Sequence, residues 1–523
     1  MSKISSIISP GEKYISVLAK VTSCAVVGME GAIIEVEVDI SPGLPVFTIV
    51  GLPDKAVQEA RERVRSAVRN SGCVFPNRRI TVNLAPADLQ KEGPAYDLPI
   101  AVGIIFSSEQ VSADLSGMVF LGELSLDGSL RHTNGILPMV ALAQKKGLSS
   151  VYVPAVDAKE ASIITGVRIF PVNTLSELIG HLRHDITLTE FVADKDAFNG
   201  VKESRSFVDL AEVKGQEHVK RALEVAAAGG HNVLMVGPPG SGKTMLSRSL
   251  LSILPHMTIS ESLEVTKIYS IAGLLPSDIP LMRQRPFRSP HYTISHAGLV
   301  GGGHWPHPGE ISLSHRGVLF LDEFAEFGHA TLEVLRQPLE DRVVTISRAR
   351  GSITFPANFM LVGAMNPCPC GFFGDPVKEC TCSAGAITRY QKRISGPLMD
   401  RIDIFIQVPH VDYEKLTDQH RGESSEKVRK RVESARSIQN KRFKESGFFY
   451  NAEMTPLEVR EYCQVEPSAQ NLLHMAMKQL HLSARAFHRV LKLARTIADI
   501  EGISTIASSH VAEALQYRPR EMI

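Results

Sequence analysis

The sequence predicts an α/β protein with a helical C-terminal part, and three observations predict it. From residue 14 to 180, short β-rich runs alternate with helical patterns. From about 207 to 410 a second α/β block is built around an apolar run, Val233–Val236, that leads into a glycine-rich turn and a helical stretch. Beyond 411 the pattern is helical only, with charged stretches such as "SSEKVRKRVESARSIQNKRF" and a last helix ending near Tyr517.

In the first block "AIIEVEVDI" and "VFTIV" read as strands, and Pro53 and "AVQEARERVRSAVRN" follow as a charged helix. "RRITVNLAP" is a further strand, and "PMVALAQKKG" is a helix stopped by Gly147. The text turns polar and loses its period over 182–206, the expected linker. The boundaries are therefore 14–181, a linker at 182–206, 207–410, and 411–523.

Composition narrows the class. With 44% hydrophobic and 22% charged residues, the 523-residue chain is ordinary for a globular protein. Net charge is +1, so nucleic acid could be gathered only by a local patch, not by a global field. No apolar run reaches the roughly 18 residues of a membrane span, and no secretory signal is visible. A cytoplasmic protein without membrane association is expected. Four of the seven cysteines fall between 368 and 382, a clustering that points to metal in a reducing compartment.

The strongest chemical signal is "NVLMVGPPGSGKTMLSRSLL". Its loop, Gly237-Pro238-Pro239-Gly240-Ser241-Gly242-Lys243-Thr244, lets backbone N–H groups turn inward around phosphates. Lys243 then neutralises the β- and γ-phosphates, and the Thr244 hydroxyl ligates Mg²⁺. "GVLFLDEF" supplies a buried strand ending in Asp322, to hold Mg²⁺, and Glu323, to polarise the attacking water. "FMLVGAMNP" delivers Asn366, an amide able to position that water. Together these residues predict ATP hydrolysis.

These motifs, with "PLMDRIDIFIQVP" and "LSARAFHRVLKLARTIADIEG", resemble the ComM/YifB family of magnesium-chelatase-like AAA+ ATPases along nearly the whole chain. The resemblance implies an AAA+ core over 207–410 and a helical lid over 411–523. Arg401 would be the arginine finger, reaching a neighbouring subunit's γ-phosphate. Arg485 would be the sensor 2 arginine, reading the γ-phosphate within its own subunit, with Arg489 as the alternative. Ser483 would cap that lid helix. A finger acting between subunits implies a ring, expected to be a homo-hexamer.

"EDRVVTISRARGSITFPANF" reads as a hairpin whose turn holds Arg348 and Arg350. The resemblance makes it the pre-sensor-1 hairpin facing the pore, where repeated arginines would bind DNA phosphates. The stretch containing Arg283, Arg285, Arg288, Gly301–Gly303 and Trp305 corresponds to the helix-2 insert and is expected to be a mobile loop, not a packed layer. "NPCPCGFFGDPVKECTC" places Cys368, Cys370, Cys380 and Cys382 as two Cys-x-Cys pairs, nine residues apart, suited to one structural Zn²⁺. Cys24, Cys73 and Cys463 are expected simply to be packed.

In the first block, "KEGPAYDLPIAVGI" and "GELSLDGSLRHTNGILPMVALAQKKGL" resemble a Lon-type peptidase domain, of the ribosomal S5 domain 2-like fold. That domain works through a Ser–Lys dyad. Here Ala95 stands in place of the serine and Leu137 in place of the lysine, and Lys91 has no hydroxyl to activate. Proteolysis is therefore not expected. The family likeness implies a DNA helicase that drives branch migration on single-stranded and branched DNA in natural transformation. The alternative is a chelatase-type motor that remodels a protein partner.

Overall fold

The computed structural model describes residues 18–89, 91, 93–192, 208–276, 279–303, 306–348, 351–411 and 422–518. They fall into two compact units, one within Met1–Val201 plus Tyr269–Leu281, the other within Lys202–Ile268 plus Met282–Ile523. Most of the expected linker, 193–206, lies outside the described residues, as do Trp305 and Arg350.

The first unit is built on nine strands: β1 (Ala19–Val27), β2 (Glu30–Ser41), β3 (Val46–Val50), β4 (Arg79–Ala85), β5 (Met118–Phe120), β6 (Glu123–Leu124), β7 (Leu130–Arg131), β8 (Ser150–Pro154) and β9 (Arg168–Val172). Seven form one mixed sheet in the order β3-β4-β2-β1-β5-β8-β9, and β6 pairs with β7. Alternation sets the register of β2. Ile34, Val36 and Val38 are buried, while Glu35 and Glu37 face Lys20 of β1, the latter at 3.0 Å. The helix Lys55–Asn70 starts where the Asp54 carboxylate accepts the Val57 N–H at 2.7 Å, and it buries Val57, Ala60, Val64, Ala67 and Val68. The helix Asp97–Ser107 is apolar all round and is buried between that helix and the sheet.

Residues 269–281, placed by sequence in the second block, belong to the first unit. The Gly135 N–H donates to the Ser270 carbonyl at 3.1 Å, and the Ser270 hydroxyl donates to the buried Glu160 carboxylate at 2.6 Å. A local pattern could not reveal this, because the partners lie more than a hundred residues away in sequence.

The second unit contains β10 (Val233–Val236), β11 (Phe287–Arg288), β12 (Gly301–Gly302), β13 (His307–Pro308), β14 (Val318–Leu321), β15 (Val343–Arg348), β16 (Gly351–Pro356), β17 (Met360–Met365) and β18 (Ile404–Gln407). Five strands make a wholly parallel sheet in the order β11-β14-β17-β10-β18. β10, β14 and β17 are buried along their full length, as continuous apolar runs in a covered parallel sheet should be. The helices Ser425–Arg442, Pro456–Tyr462, Pro467–Gln479, Ala484–Glu501 and Ser508–Gln516 form the C-terminal part. One apolar core joins the sheet to these helices, from Val233, Val318 and Val362 through Val432, Val490, Ile497 and Val511.

The insert differs from the expected mobile loop. Phe287–Arg288 is the edge strand of the sheet, Ile311 and Leu313 are buried, and Arg288 pairs with Glu310 at 2.6 Å. Arg285 pairs with Glu261 at 3.2 Å. These acidic partners lie 22 and 24 residues away on separate elements, beyond what a local pattern shows.

Candidate nucleotide site

Parallel pairing aligns the C-terminal ends of β10, β14 and β17, and each ends in a residue of the site. Val236 faces Met365, and Leu321 faces Gly363. The loop after β10, the end of β17 at Asn366 and the end of β14 at Asp322 therefore converge. Gly240 and Gly242 adopt φ of +78° and +87°, a region that favours glycine. At Gly237 a Cβ would come within 2.1 Å of the Val408 carbonyl oxygen, so the loop can lie this close to β18 only with glycine there.

The loop's polar groups are gathered. The Lys243 ammonium donates to the carbonyls of Gly237 and Pro238, both at 2.8 Å, and to Asn366 Oδ1 at 3.3 Å. Burial lowers the pKa of Lys243 from its ordinary value. The Asp322 charge offsets this only in part, and an anionic ligand at the loop would add counter-charge. The Thr244 hydroxyl donates to Asp322 at 2.9 Å, so the two expected Mg²⁺ ligands are already adjacent. This hard oxygen pair fits Mg²⁺. Glu323 sits beside them in the left-handed region, with φ of +52°.

Two residues that sequence reading missed support the loop. Gln216 Nε2 donates to the carbonyls of Ser241 at 3.0 Å and Pro409 at 2.9 Å, tying the loop to the segment after β18. Gly371, with φ of +88°, lies so close to Pro239 that a Cβ would meet its ring at 2.6 Å. The cysteine loop thus packs directly on the phosphate loop. A Gly-Gln pair ahead of a helix was the only sequence signal for Gln216.

Arg401 and Arg485 lie elsewhere. Asn232, just before β10, donates to the Arg401 carbonyl at 3.0 Å and accepts from the Leu361 N–H at 2.9 Å. Asp403 accepts from the Asn232 N–H at 3.2 Å and faces Arg489 at 3.6 Å and the buried His231 at 3.4 Å. Arg401, Arg485 and Arg489 line one cleft of about 390 Å³ with Asn232 and Glu340. That cleft is at the N-terminal end of the strands. The four residues of β10 separate Asn232 from Gly237, five steps of about 3.3 Å or about 16 Å.

Arg485, expected to read the γ-phosphate of its own subunit, lies in this cleft and not beside the phosphate loop. It shares the far end of the sheet with Arg401, because the helix Ala484–Glu501 packs on the helix Glu217–Gly229 and contributes Thr496 to His231 at 2.9 Å. Ser483 does cap this helix, accepting the Ala486 N–H at 3.2 Å. Arg401 itself is held by Glu340 and by the Pro397 carbonyl at 2.8 Å.

β15 and β16 form the expected hairpin, with Arg348 paired to Gly351 in the last rung; its tip, with Arg350, lies outside the described residues. The four thiols Cys368, Cys370, Cys380 and Cys382 converge, with all sulfurs within 4.8 Å of one another. The Sγ separations of 3.4, 3.7 and 3.5 Å approach the about 3.8 Å edge of a tetrahedron with Zn–S near 2.3 Å. The Phe372 N–H, with help from neighbouring groups, holds the Cys370 thiol down at about 5. The residues fit a closed, four-sulfur site. The other three cysteines are buried, and burial pushes Cys24 and Cys463 up to about 12.

The chain matches three family profiles in succession: subunit ChlI of magnesium chelatase over residues 36–157, "Magnesium chelatase, subunit ChlI" over 209–416, and the ChlI C-terminal profile over 422–518. It is 43% identical to the competence protein ComM of Haemophilus influenzae over 509 residues, covering 96% of this chain and 97% of that one. It is 43% identical to YifB of Escherichia coli over 503 residues, 96% of this chain and 97% of the other. The chain belongs to the ComM/YifB family. Its second unit is the magnesium-chelatase-like AAA+ core with a helical C-terminal region, and its first is Lon-like. A Lon protease from Mycolicibacterium smegmatis is 25% identical to this chain over 172 residues, 30% of this chain and 22% of that one.

The two positions where the Lon-type resemblance expects a serine and a lysine are Ala95 and Leu137. Ala95 and Leu137 are buried apolar residues. Lys91 is fully buried, donating to the Leu89 carbonyl at 2.7 Å and to the Pro86 carbonyl, and burial lowers its pKa. No helix among the described residues is long and apolar enough to cross a membrane.

Proposed function

We propose that the chain is an ATP-driven DNA motor that works as a ring, a homo-hexamer, and moves on single-stranded and branched DNA as a branch-migration helicase in recombination. One observation carries the reading. Arg401 and Arg485 stand at the end of the sheet opposite the phosphate loop of their own subunit. An arginine so placed serves hydrolysis only by reaching a neighbour's nucleotide, and head-to-tail contacts of that kind close into rings.

In this reading Gly237–Thr244 would cradle the phosphates of ATP, with Lys243 as their cation. Thr244 and Asp322 would hold Mg²⁺. Glu323 would take the proton of the attacking water, and Asn366 would orient that water. Arg401 and Arg485 would stabilise charge on the neighbour's γ-phosphate. The Arg348/Arg350 hairpin would touch DNA phosphates, and the four cysteines would hold a structural Zn²⁺. The domain limits that go with this reading are 14–181, 207–410 and 411–523, in a cytoplasmic protein. Likeness to a competence protein supports a setting in DNA uptake.

The test is ATPase rate with and without single-stranded and forked DNA, for wild type and for the double variant Arg348→Ala/Arg350→Ala. DNA-stimulated turnover that the variant loses, with basal turnover retained, is the expected result. Healthy basal turnover that no DNA changes would give first place to the chelatase-type reading, a motor that remodels a protein, which the match to chelatase profiles favours.

A further inference from the structure

The residue just ahead of β10 is Asn232, a short amide of a kind depleted in strands, so its place there calls for a reason. Asn232 is half-buried, and both ends of its amide are used. Nδ2 donates to the Arg401 carbonyl at 3.0 Å, and Oδ1 accepts the Leu361 N–H of β17 at 2.9 Å. A carbonyl needs a donor and an N–H needs an acceptor, so the two partners fix which way the amide faces. Aspartate, of the same size, has no donor to offer the carbonyl when ionised.

The main chain of Asn232 bonds to the same turn. Its carbonyl accepts from the N–H groups of Asp403 at 3.1 Å and Ile404 at 3.0 Å, bonds that any residue at 232 would make as β10 meets β18. The side-chain bond does something further, because it reaches past Asp403 to Arg401 itself.

The other bonds of Arg401 do not fix it to the sheet. Its N–H donates to the Leu398 carbonyl at 2.9 Å and its Nη1 to the Pro397 carbonyl at 2.8 Å. Both acceptors belong to the short helix Gly396–Met399, so they hold Arg401 only relative to its own turn. Glu340 is 62% exposed, and an ion pair with so open a carboxylate restrains little. One residue on, the Ile402 carbonyl accepts a long contact of 3.4 Å from Arg489 Nη1. Among the described residues, the Asn232 amide is therefore the hydrogen bond that ties the Arg401 main chain to the sheet.

We propose that Asn232 is a positioning residue for Arg401: its amide fixes the main chain from which that guanidinium projects toward a neighbour's nucleotide. This rests on the reading of Arg401 as a residue lent to the next subunit. Asn232 acts through one peptide carbonyl and touches no nucleotide of its own subunit, whose phosphate loop lies at the other end of β10. The same four-residue strand thus joins a subunit's own loop to the arginine it lends.

The experiment uses full-length Asn232→Asp, which keeps an acceptor for Leu361 but loses the donor to Arg401, and Asn232→Ala, which loses both. Agreement between them excludes an effect of the added charge. Binding of a fluorescent ATP analogue should stay at the wild-type level, while turnover falls on the order of 10²-fold, the cost of misplacing a reacting group by about 1 Å. Mixed rings supply a readout that general damage would not give. An Asn232 variant keeps a working loop beside a misplaced arginine, so an equimolar mixture with Lys243→Ala should regain about one quarter of wild-type activity. A mixture with Arg401→Ala should regain nothing, because both chains lack the same function. Wild-type turnover in the Asn232 variants overturns the proposal, as does recovery with Arg401→Ala or with neither chain. Failure of both variants to fold also overturns it, since Asn232 would then serve folding alone. Arg401→Ala mixed with Lys243→Ala is the control. If the control stays inactive, the ring reading fails and the proposal with it; if the control recovers and the Asn232 mixtures do not, only the proposal fails.

Discussion

At the scale of single residues, the site separates groups that bind nucleotide from groups that act on water. Lys243 is held over the loop by two carbonyls and makes no ion pair among the described residues, so Lys243→Ala should abolish nucleotide binding itself. Among the described residues nothing donates to the Glu323 carboxylate, which stands beside Asp322 in a left-handed turn, open to a water. Glu323→Gln should therefore keep ATP binding while lowering turnover on the order of 10²–10⁴-fold, the range of a lost general base. Binding of a fluorescent ATP analogue beside single-turnover hydrolysis checks this. If Glu323→Gln loses binding and turnover together, its role is structural. Most of these residues were legible because strand, turn and helix are neighbours in sequence. Gln216 was not, because one of its two bonds reaches residue 409 and no local pattern encodes such a reach.

At the scale of elements, the cysteine loop and the insert behave as braces. Gly371 rests on the Pro239 ring, so the order of the cysteine loop feeds into the shape of the phosphate loop. Metal analysis should find about one zinc per chain, the stoichiometry of a closed four-thiolate site. Cys380→Ser should remove the metal and weaken nucleotide binding while leaving the parallel sheet folded, as circular dichroism would show. A metal-free variant with normal affinity would confine the site to local stability.

The insert carries a pH signature. Burial alone would raise the Glu264 carboxyl, but hydrogen bonds from His315 and Arg316 and the Arg316 charge outweigh it and hold it at about 2, against an ordinary 4.5. A carboxyl lowered by folding contributes stability that is present above about 4.5 and lost as pH falls through about 2. Glu264→Gln should accordingly destabilise the protein at neutral pH and flatten the acid limb of its stability curve between those values. The sequence showed the insert's arginines and glycines but not the pairing of Arg285, Arg288 and Arg316 with acids, since charge alone does not tell a solvated face from a buried pair. The expected loop is in fact part of the sheet edge.

At the scale of the whole molecule, the separation of Lys243 from Arg401 along β10 makes the proposed ring testable without seeing it. If each active site joins the loop of one subunit to the arginines of the next, Lys243→Ala chains still lend Arg401 and Arg401→Ala chains still lend a working loop. Each variant alone should be nearly inactive. In a random equimolar mixture, a junction works when a loop-intact subunit meets an arginine-intact one, so about one quarter of wild-type activity should return. The same experiment decides how Arg485 acts. Placed beside Arg401, it should behave as a residue lent to the neighbour, and Arg485→Ala mixed with Lys243→Ala should also recover. If instead Arg485→Ala stays inactive in every mixture while Arg401→Ala recovers, Arg485 serves its own subunit, and the helix Ala484–Glu501 must swing away from this arrangement during turnover. Failure of both mixtures, with assembled rings confirmed by light scattering, would mean that hydrolysis is completed within one chain and that the ring reading is wrong.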